Sequence, residues 1–291
     1  MSYLDRIRDL PPLDPSDYWP FAVEGVRVGL VSPGFAHVLT DFPLVFHIDG
    51  ETVSLNPTLA TAESRTAAVA GVLKSLARRG MIPGWRDEPY PVGLSFDGEV
   101  CFTMERAAVP LFGVRAYGVH INGIVIDGGG LKMWVARRSL SKPSAPGKLD
   151  HLVAGGQPAG LGLKENLIKE CAEEAAIPKK LAELATSAGA ISYCTLRPEG
   201  IRNDVLYNFD LELPPEFTPR NTDGEVEEFF LWEIEQVMER VRETDDFKFN
   251  CALVIIDFLL RRGLIPPDHP EYGGLLAGLG RCGAVGPERM D

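Results

Sequence analysis

The chain has 291 residues, of which 45% are hydrophobic and 24% charged, and its net charge is −12. That length holds about two ordinary domains, and the balance excludes long disorder, collagen-like repeats and a coiled coil. So acidic a chain is a poor general binder of nucleic acid or of an anionic membrane, and it would hold an anionic substrate only if a metal ion supplied the positive charge.

Met1–Pro20 carries charges and prolines where a signal peptide needs an apolar core. Residues 1–115 read as a first, smaller α+β unit. Apolar stretches at Gly25–Val31 and Pro43–Ile48, separated by turn residues, predict a small sheet. The segment Thr66–Gly80 predicts a helix: Val69, Val72, Leu73 and Leu76 recur at helical spacing, Gly80 caps it and Pro83 follows. A hairpin is expected around Asp97-Gly98. Nothing here has the spacing of a catalytic set, and Glu105-Arg106 reads as a structural ion pair.

A second unit covers residues 116–270. Two strands flank Asp127–Gly130, then come a polar loop (Ser139–Lys148), a glycine-rich loop and a helix inside Ala154–Pro178. Strand-like segments follow from Ala190, Asp204 and Glu225. A closing helix is expected over Cys251–Arg262, with Asn250 as N-cap and Gly263 as C-cap. The longest apolar run, Cys251–Leu260, is too short to span a bilayer. Residues 271–291 form a Gly/Pro-rich tail whose composition argues against order. Five scattered cysteines (Cys101, Cys171, Cys194, Cys251, Cys282) with no CxxC argue against a disulfide framework or a zinc site, and point to a reducing cytoplasm.

The segment Ala154–Pro178 carries the chemistry. Placed on a helix at about 100° per residue, Leu167, Ile168, Cys171, Ala172 and Ala175 share one arc, while Asn166, Lys169, Glu170, Glu173 and Glu174 share the opposite one. Like charges three and four residues apart destabilise a helix by about 0.2–0.5 kcal/mol per pair, and Lys169 relieves them only in part. A solvated acidic face is the ordinary meaning of such a pattern. The preceding Gly155-Gly156 and following Ile177 argue otherwise. A bound divalent cation would reverse the repulsion, and hard carboxylate oxygens suit Mg²⁺ or Mn²⁺.

This spacing resembles the Nudix hydrolase signature. Gly155, Glu170, Glu173, Glu174 and Ile177 match it; Leu161, Lys169, Cys171 and Ala176 stand where the signature has Glu, Arg, an apolar residue and Gly. The run Lys148–Pro178, with Tyr117–Val125, Met133–Lys142, Leu206–Phe229 and Phe247–Ile265, resembles the Nudix branch related to thiamin pyrophosphokinase, as does Ile82–Val92 in the first unit. The resemblance implies an α/β/α sandwich with a mixed sheet, preceded by a family-specific domain. It also implies hydrolysis of an organic diphosphate: thiamin diphosphate or, by preference, its oxidised or otherwise damaged analogues, giving the monophosphate. Glu170 and Glu174 are then the main Mg²⁺ ligands, with Glu173 as a third ligand or a base.

One further carboxylate should come from outside the helix to orient or deprotonate the water. Glu225 and Glu227 alternate with Val226 and would share one face of a strand, and resemblance favours Glu225. Arg137, Arg138 and Lys142 could hold the terminal phosphate, with alternation turning only one of the two arginines inward. His120 and Asn122 could meet the organic part, though a satisfied core histidine is the commoner case. Tyr117 and Trp134 could stack on a ring, with core packing the first reading. Gly155 and Gly156 would let the loop approach the phosphates. The expected partner is a small organic diphosphate. The first unit could cap the pocket or form a homodimer interface. The rivals are a Nudix hydrolase of a nucleoside diphosphate derivative such as ADP-ribose, a non-catalytic nucleotide-binding module, and an isomerase, which would need a histidine cluster that the sequence does not display.

Overall fold

The computed structural model describes residues 1–10, 13–281 and 288–290; Cys282 and the closing part of the expected tail lie outside the described residues. Helix α1 (Tyr3–Arg8) opens the chain. A small sheet follows, built from β1 (Trp19–Val23), β2 (Val26–Val31), β3 (Phe46–Asp49) and β4 (Thr52–Leu55), with α2 (Pro33–Leu39) between its hairpins. The expected helix is α3 (Ala62–Arg78), four residues longer at its start because Thr61 caps the Ser64 N–H and Ser64 returns a bond to Thr61. Val69, Val72, Leu73 and Leu76 are its buried stripe. The expected hairpin is β5 (Pro89–Gly93) with β6 (Val100–Glu105), and α4 (Val109–Phe112) leads out of the unit.

The second unit is a mixed sheet between two helical layers. Strand β7 (Ala116–Asp127) is its spine; the last residues of β7 pair with β8 (Gly130–Arg138). β9 (Leu149–Asp150) lies on β8, and β10 (Val153–Gly156) lies antiparallel on the first half of β7. Helices α5 (Leu163–Ala175) and α6 (Lys179–Ala182) follow, then β11 (Thr186–Arg197), β12 (Gly200–Glu212) and β13 (Val226–Glu233). The order is β11-β12-β7-β8-β13, with β12 parallel to β7 and the other neighbours antiparallel. β7 and β8 part beyond Ile124, and the segment holding β9 and β10 enters between them, β9 on β8 and β10 on β7.

Alternation along β7 sorts the two layers. Val119, Ile121 and Val125 face α5, together with Leu167, Cys171 and Ala175. Ile124 faces the other side, with α7 (Ile234–Glu243) and α8 (Phe249–Arg261). α7 escaped the sequence reading, although Ile234, Val237 and Val241 repeat at helical spacing and are buried. Asn250 is not the N-cap of α8. It lies inside the helix, fully buried, and donates to the Tyr193 hydroxyl at 3.3 Å.

The expected tail holds a helix, α9 (Tyr272–Arg281), packed against α1. Its glycines read as disorder but serve contact: a Cβ at Gly274 would meet Leu4 at 3.0 Å, and one at Gly278 would meet Ile7 at 2.7 Å. A last strand, β14 (Glu288–Arg289), returns to β2 and extends the small sheet.

Helix α5 ends on Ala176 in the left-handed conformation (φ 53°), its N–H bonded to Cys171. A Cβ is disfavoured there by about 1–2 kcal/mol. Ala176→Gly is therefore expected to raise the melting temperature, with α5 content unchanged by circular dichroism; an unchanged or lower melting temperature would contradict the strain.

Candidate active site

The carboxylates of α5 meet the open edge of β10. Glu174, only 8% exposed, accepts the Ala154 N–H at 2.8 Å and forms no ion pair among the described residues. Burial pushes its carboxyl well above the ordinary range, and Glu170, Asp150 and Glu225 add to the rise. Glu170 rests on Gly155, where a Cβ would stand 2.2 Å from its carboxyl carbon. Its pKa is raised by burial, against the opposing pull of Lys169 at 3.2 Å. Glu173 points outward, half exposed and paired with Lys169 at 2.6 Å. The expected acidic arc is thus divided: two carboxylates turn in and one turns out.

Glu225 reaches the same place from another element. The loop before β13 docks on the end of α5, with the Arg220 N–H on the Ala175 carbonyl at 3.1 Å and the Thr222 hydroxyl on the Glu173 carbonyl. The Glu225 carboxylate pairs with Lys142. Burial would raise its pKa, but Lys142, with Arg86 and Arg138, holds it below the ordinary value. The expected shared face of Glu225 and Glu227 does not form. Glu225 precedes the strand, and a register shift between Val226 and Glu228 turns Glu227 out to solvent, because a bulge breaks alternation.

The other candidates separate. Arg138 is buried and binds Asp150 at 2.6 Å and the carbonyls of Ser144 and Ala145. Arg137 lies on the opposite face, over the Phe230 ring at 5.4 Å. His120 and Asn122 face the α8 layer, away from α5. Asn122 donates to Asp210 at 2.9 Å, and His120 meets His151 at 2.9 Å between their Nδ1 atoms. Trp134 is core. Tyr117 joins Phe96 and Tyr207 in an aromatic wall, with ring centroids 5.0–6.4 Å apart. Glu105 does not pair with Arg106. It accepts the N–H groups of Arg86 and Ala107, and Arg106 binds Glu88 instead.

Sequence reading missed a second cluster. His120, Asp150, His151 and Cys251 come from three distant segments, and their ligand atoms lie within 4.8 Å of one another. The donor types suit a metal, but the spacings are those of hydrogen bonds. The Cys251 thiol reaches Asp150 at 2.6 Å and the two imidazoles stand 2.9 Å apart, where ligands around a zinc-sized ion would stand about 3.3–3.8 Å apart. Burial keeps both histidines neutral, with His151 lowered to about 4, and Arg138 and Lys248 add positive charge beside Asp150. The cluster reads as a closed hydrogen-bonded network. The Glu170–Glu174 pair, two inward carboxylates on a glycine edge, is the better fit to a hard divalent cation.

Comparison with known proteins fixes the frame. The family model for the NUDIX domain matches residues 116–253, and the model described as a domain of unknown function, DUF4743, matches residues 3–116. Nudix hydrolase 24, chloroplastic, of Arabidopsis thaliana is 48% identical over 258 residues, covering 88% of this chain and 71% of the relative. Nudix hydrolase 20, chloroplastic, of the same plant is 46% identical over 266 residues, with the same coverage of each. Among solved structures, the NUDIX domain of Shewanella oneidensis NrtR, complexed with ADP ribose, superposes with a TM-score of 0.42 at 14% identity, over 52% of this chain and 90% of that one. The expectation of a cytoplasmic protein is overturned by these relatives, both named as chloroplastic. Scattered cysteines with no CxxC do not say which compartment holds a protein.

Proposed function

The chain belongs to the Nudix hydrolases, which act on diphosphate bonds, and from that premise we propose that it hydrolyses thiamin diphosphate or its oxidised analogues to the monophosphate. The observation that carries the hydrolase chemistry is the inward Glu170–Glu174 pair, Glu174 buried and Glu170 partly buried, held on the Gly155 edge with no cation of its own among the described residues for Glu174.

Nudix hydrolases generally use divalent metals, and Glu170 and Glu174 would hold one here. The ion, when bound, screens the phosphates and stabilises the charge that develops on them. Glu225, kept ionised by Lys142 and near enough to Glu174 to raise its pKa, would orient the attacking water or accept its proton. Glu173, paired with Lys169, adds negative field from outside the site. Lys142 is the catalytic unit's own candidate for a phosphate contact, once a substrate competes with Glu225 for it. Arg138, held by Asp150, shapes the loop that carries Lys142 and Ser144.

Two features support the organic half. Sequence likeness to the thiamin-related branch extends along the chain well beyond the box. The wall of Phe96, Tyr117 and Tyr207 adjoins β10, since the Gln157 N–H bonds to the Tyr117 carbonyl at 2.9 Å, and it offers a face to an aromatic ring. A nucleobase would suit the same wall, so ADP-ribose is the second reading. The two are compared side by side with Mg²⁺ and phosphorus-31 detection. Faster turnover of oxothiamin or oxythiamin diphosphate than of ADP-ribose is expected; preference for ADP-ribose would overturn the substrate assignment and leave the hydrolase assignment standing.

A further inference from the structure

We infer, given the diphosphatase reading above, that the N-terminal unit completes the catalytic cleft by supplying Arg106 and Arg86 as phosphate-binding side chains.

The unit is fastened at the right place. Tyr90, on β5, donates its hydroxyl to the Tyr117 carbonyl at 2.5 Å and accepts the Tyr117 N–H at 2.6 Å. Tyr117 is the second residue of β7, beside β10 and the glycines that precede the box helix. Arg106 follows β6, and its guanidinium lies against Gly156. A Cβ there would come within 2.5 Å of its Nη2, as one at Gly155 would strike the Glu170 carboxyl. Adjacent glycines, on opposite faces of β10, therefore make room for a carboxylate from one unit and a guanidinium from the other, and the Arg106 charge still reaches Glu170. Glu88 holds Arg106 in position, with Nη1 at 2.8 and 3.0 Å from its two oxygens.

Arg86 is placed by its backbone, whose N–H bonds to Glu105 at 2.9 Å. Among the described residues its guanidinium has no hydrogen bond or ion pair. It lies within the field of Glu225 and Arg138 on the catalytic side and of Arg106 and Glu88 on its own side. Nearby cations already have partners: Lys142 has Glu225, Lys169 has Glu170 and Glu173, and Arg138 has Asp150. Arg86 is the one of these left without a partner among the described residues, within the like-charge field of Arg106 and Arg138. An anion between Arg86 and Arg106 would offset that repulsion. A guanidinium fork matches the oxygens of a phosphate, and a metal-bound diphosphate brings several to the Glu170–Glu174 edge.

The test uses the full chain and Mg²⁺ with inorganic pyrophosphate as the probe, followed by calorimetry, so that the organic half of the substrate plays no part. Arg86→Ala is expected to weaken pyrophosphate binding about 10- to 100-fold and to raise KM for a diphosphate substrate similarly, with a smaller change in kcat. Arg86→Lys should fall between, because it keeps the charge and loses the fork. Melting should not fall, since Arg86 has no partner to lose. Arg106→Lys, which keeps a cation beside Glu88, should also weaken binding. If the wild type binds pyrophosphate and Arg86→Ala binds it equally well, the inference is wrong and the diphosphatase reading survives. If the wild type binds no pyrophosphate with Mg²⁺, the reading itself fails and takes the inference with it.

Discussion

Glu174→Gln is expected to lower Mg²⁺-dependent kcat by about 10³-fold or more while the folded structure is kept. A metal ion that stabilises developing charge contributes several kcal/mol, and each 1.36 kcal/mol is about tenfold in rate. Gln keeps the shape and can still accept the Ala154 N–H, so β10 and α5 stay joined. The same change should stabilise the metal-free protein. Glu174 is buried beside Glu170, Asp150 and Glu225, so its folded pKa lies above its unfolded one. The native state then binds more protons than the unfolded state as pH rises past the unfolded pKa, and stability falls until the folded pKa is passed. Metal-free wild type should therefore lose melting temperature relative to Glu174→Gln as pH rises above about 4.5, and added Mg²⁺ should restore it to the wild type alone. An active Glu174→Gln, or one less stable than wild type without metal, would contradict both halves.

Glu225→Gln is expected to cost about 10²–10⁴ in kcat, the usual range for a positioned proton acceptor, with Mg²⁺ affinity nearly unchanged. Its carboxylate lies outside the helix that holds the metal ligands and is tied to Lys142, so its loss should be felt at the water and not at the ion. Lys142 keeps its place partly through the Ser139 turn, to whose carbonyl its N–H bonds at 3.2 Å. A tenfold or greater loss of Mg²⁺ affinity in Glu225→Gln, with kcat preserved at saturating metal, would make Glu225 a ligand instead.

Much of the architecture was legible because burial imposes a period. Val69 to Leu76 announced α3, and the apolar arc of Leu167, Cys171 and Ala175 announced both α5 and the face it buries. The glycines at 155 and 156 were legible as places of close approach, though not that one would receive Glu170 and the other an arginine from the first unit. What stayed hidden depends on register and on contacts far apart in sequence. Two-residue alternation placed Glu225 and Glu227 together, and a single bulge separated them. Alternation put His120 and Asn122 on one side of β7, but only the layers show that this side faces α8 and the His151–Cys251 network. Arg86 lay in a stretch, Ile82–Val92, read only for its family likeness, and Arg106 was read as the partner of Glu105; their place at the cleft comes from Tyr90 fastening their hairpin to the start of β7. The glycines of α9 looked like a disordered tail because composition does not reveal that Leu4 and Ile7 pack against them.

The most direct measurement is an anomalous-scattering map from crystals of the full chain grown with Mn²⁺ and inorganic pyrophosphate. A peak bonded to the carboxylates of Glu170 and Glu174, beside Gly155, is the expected result. A peak held by His120, His151 and Cys251, with Glu170 and Glu174 free of metal, would contradict it.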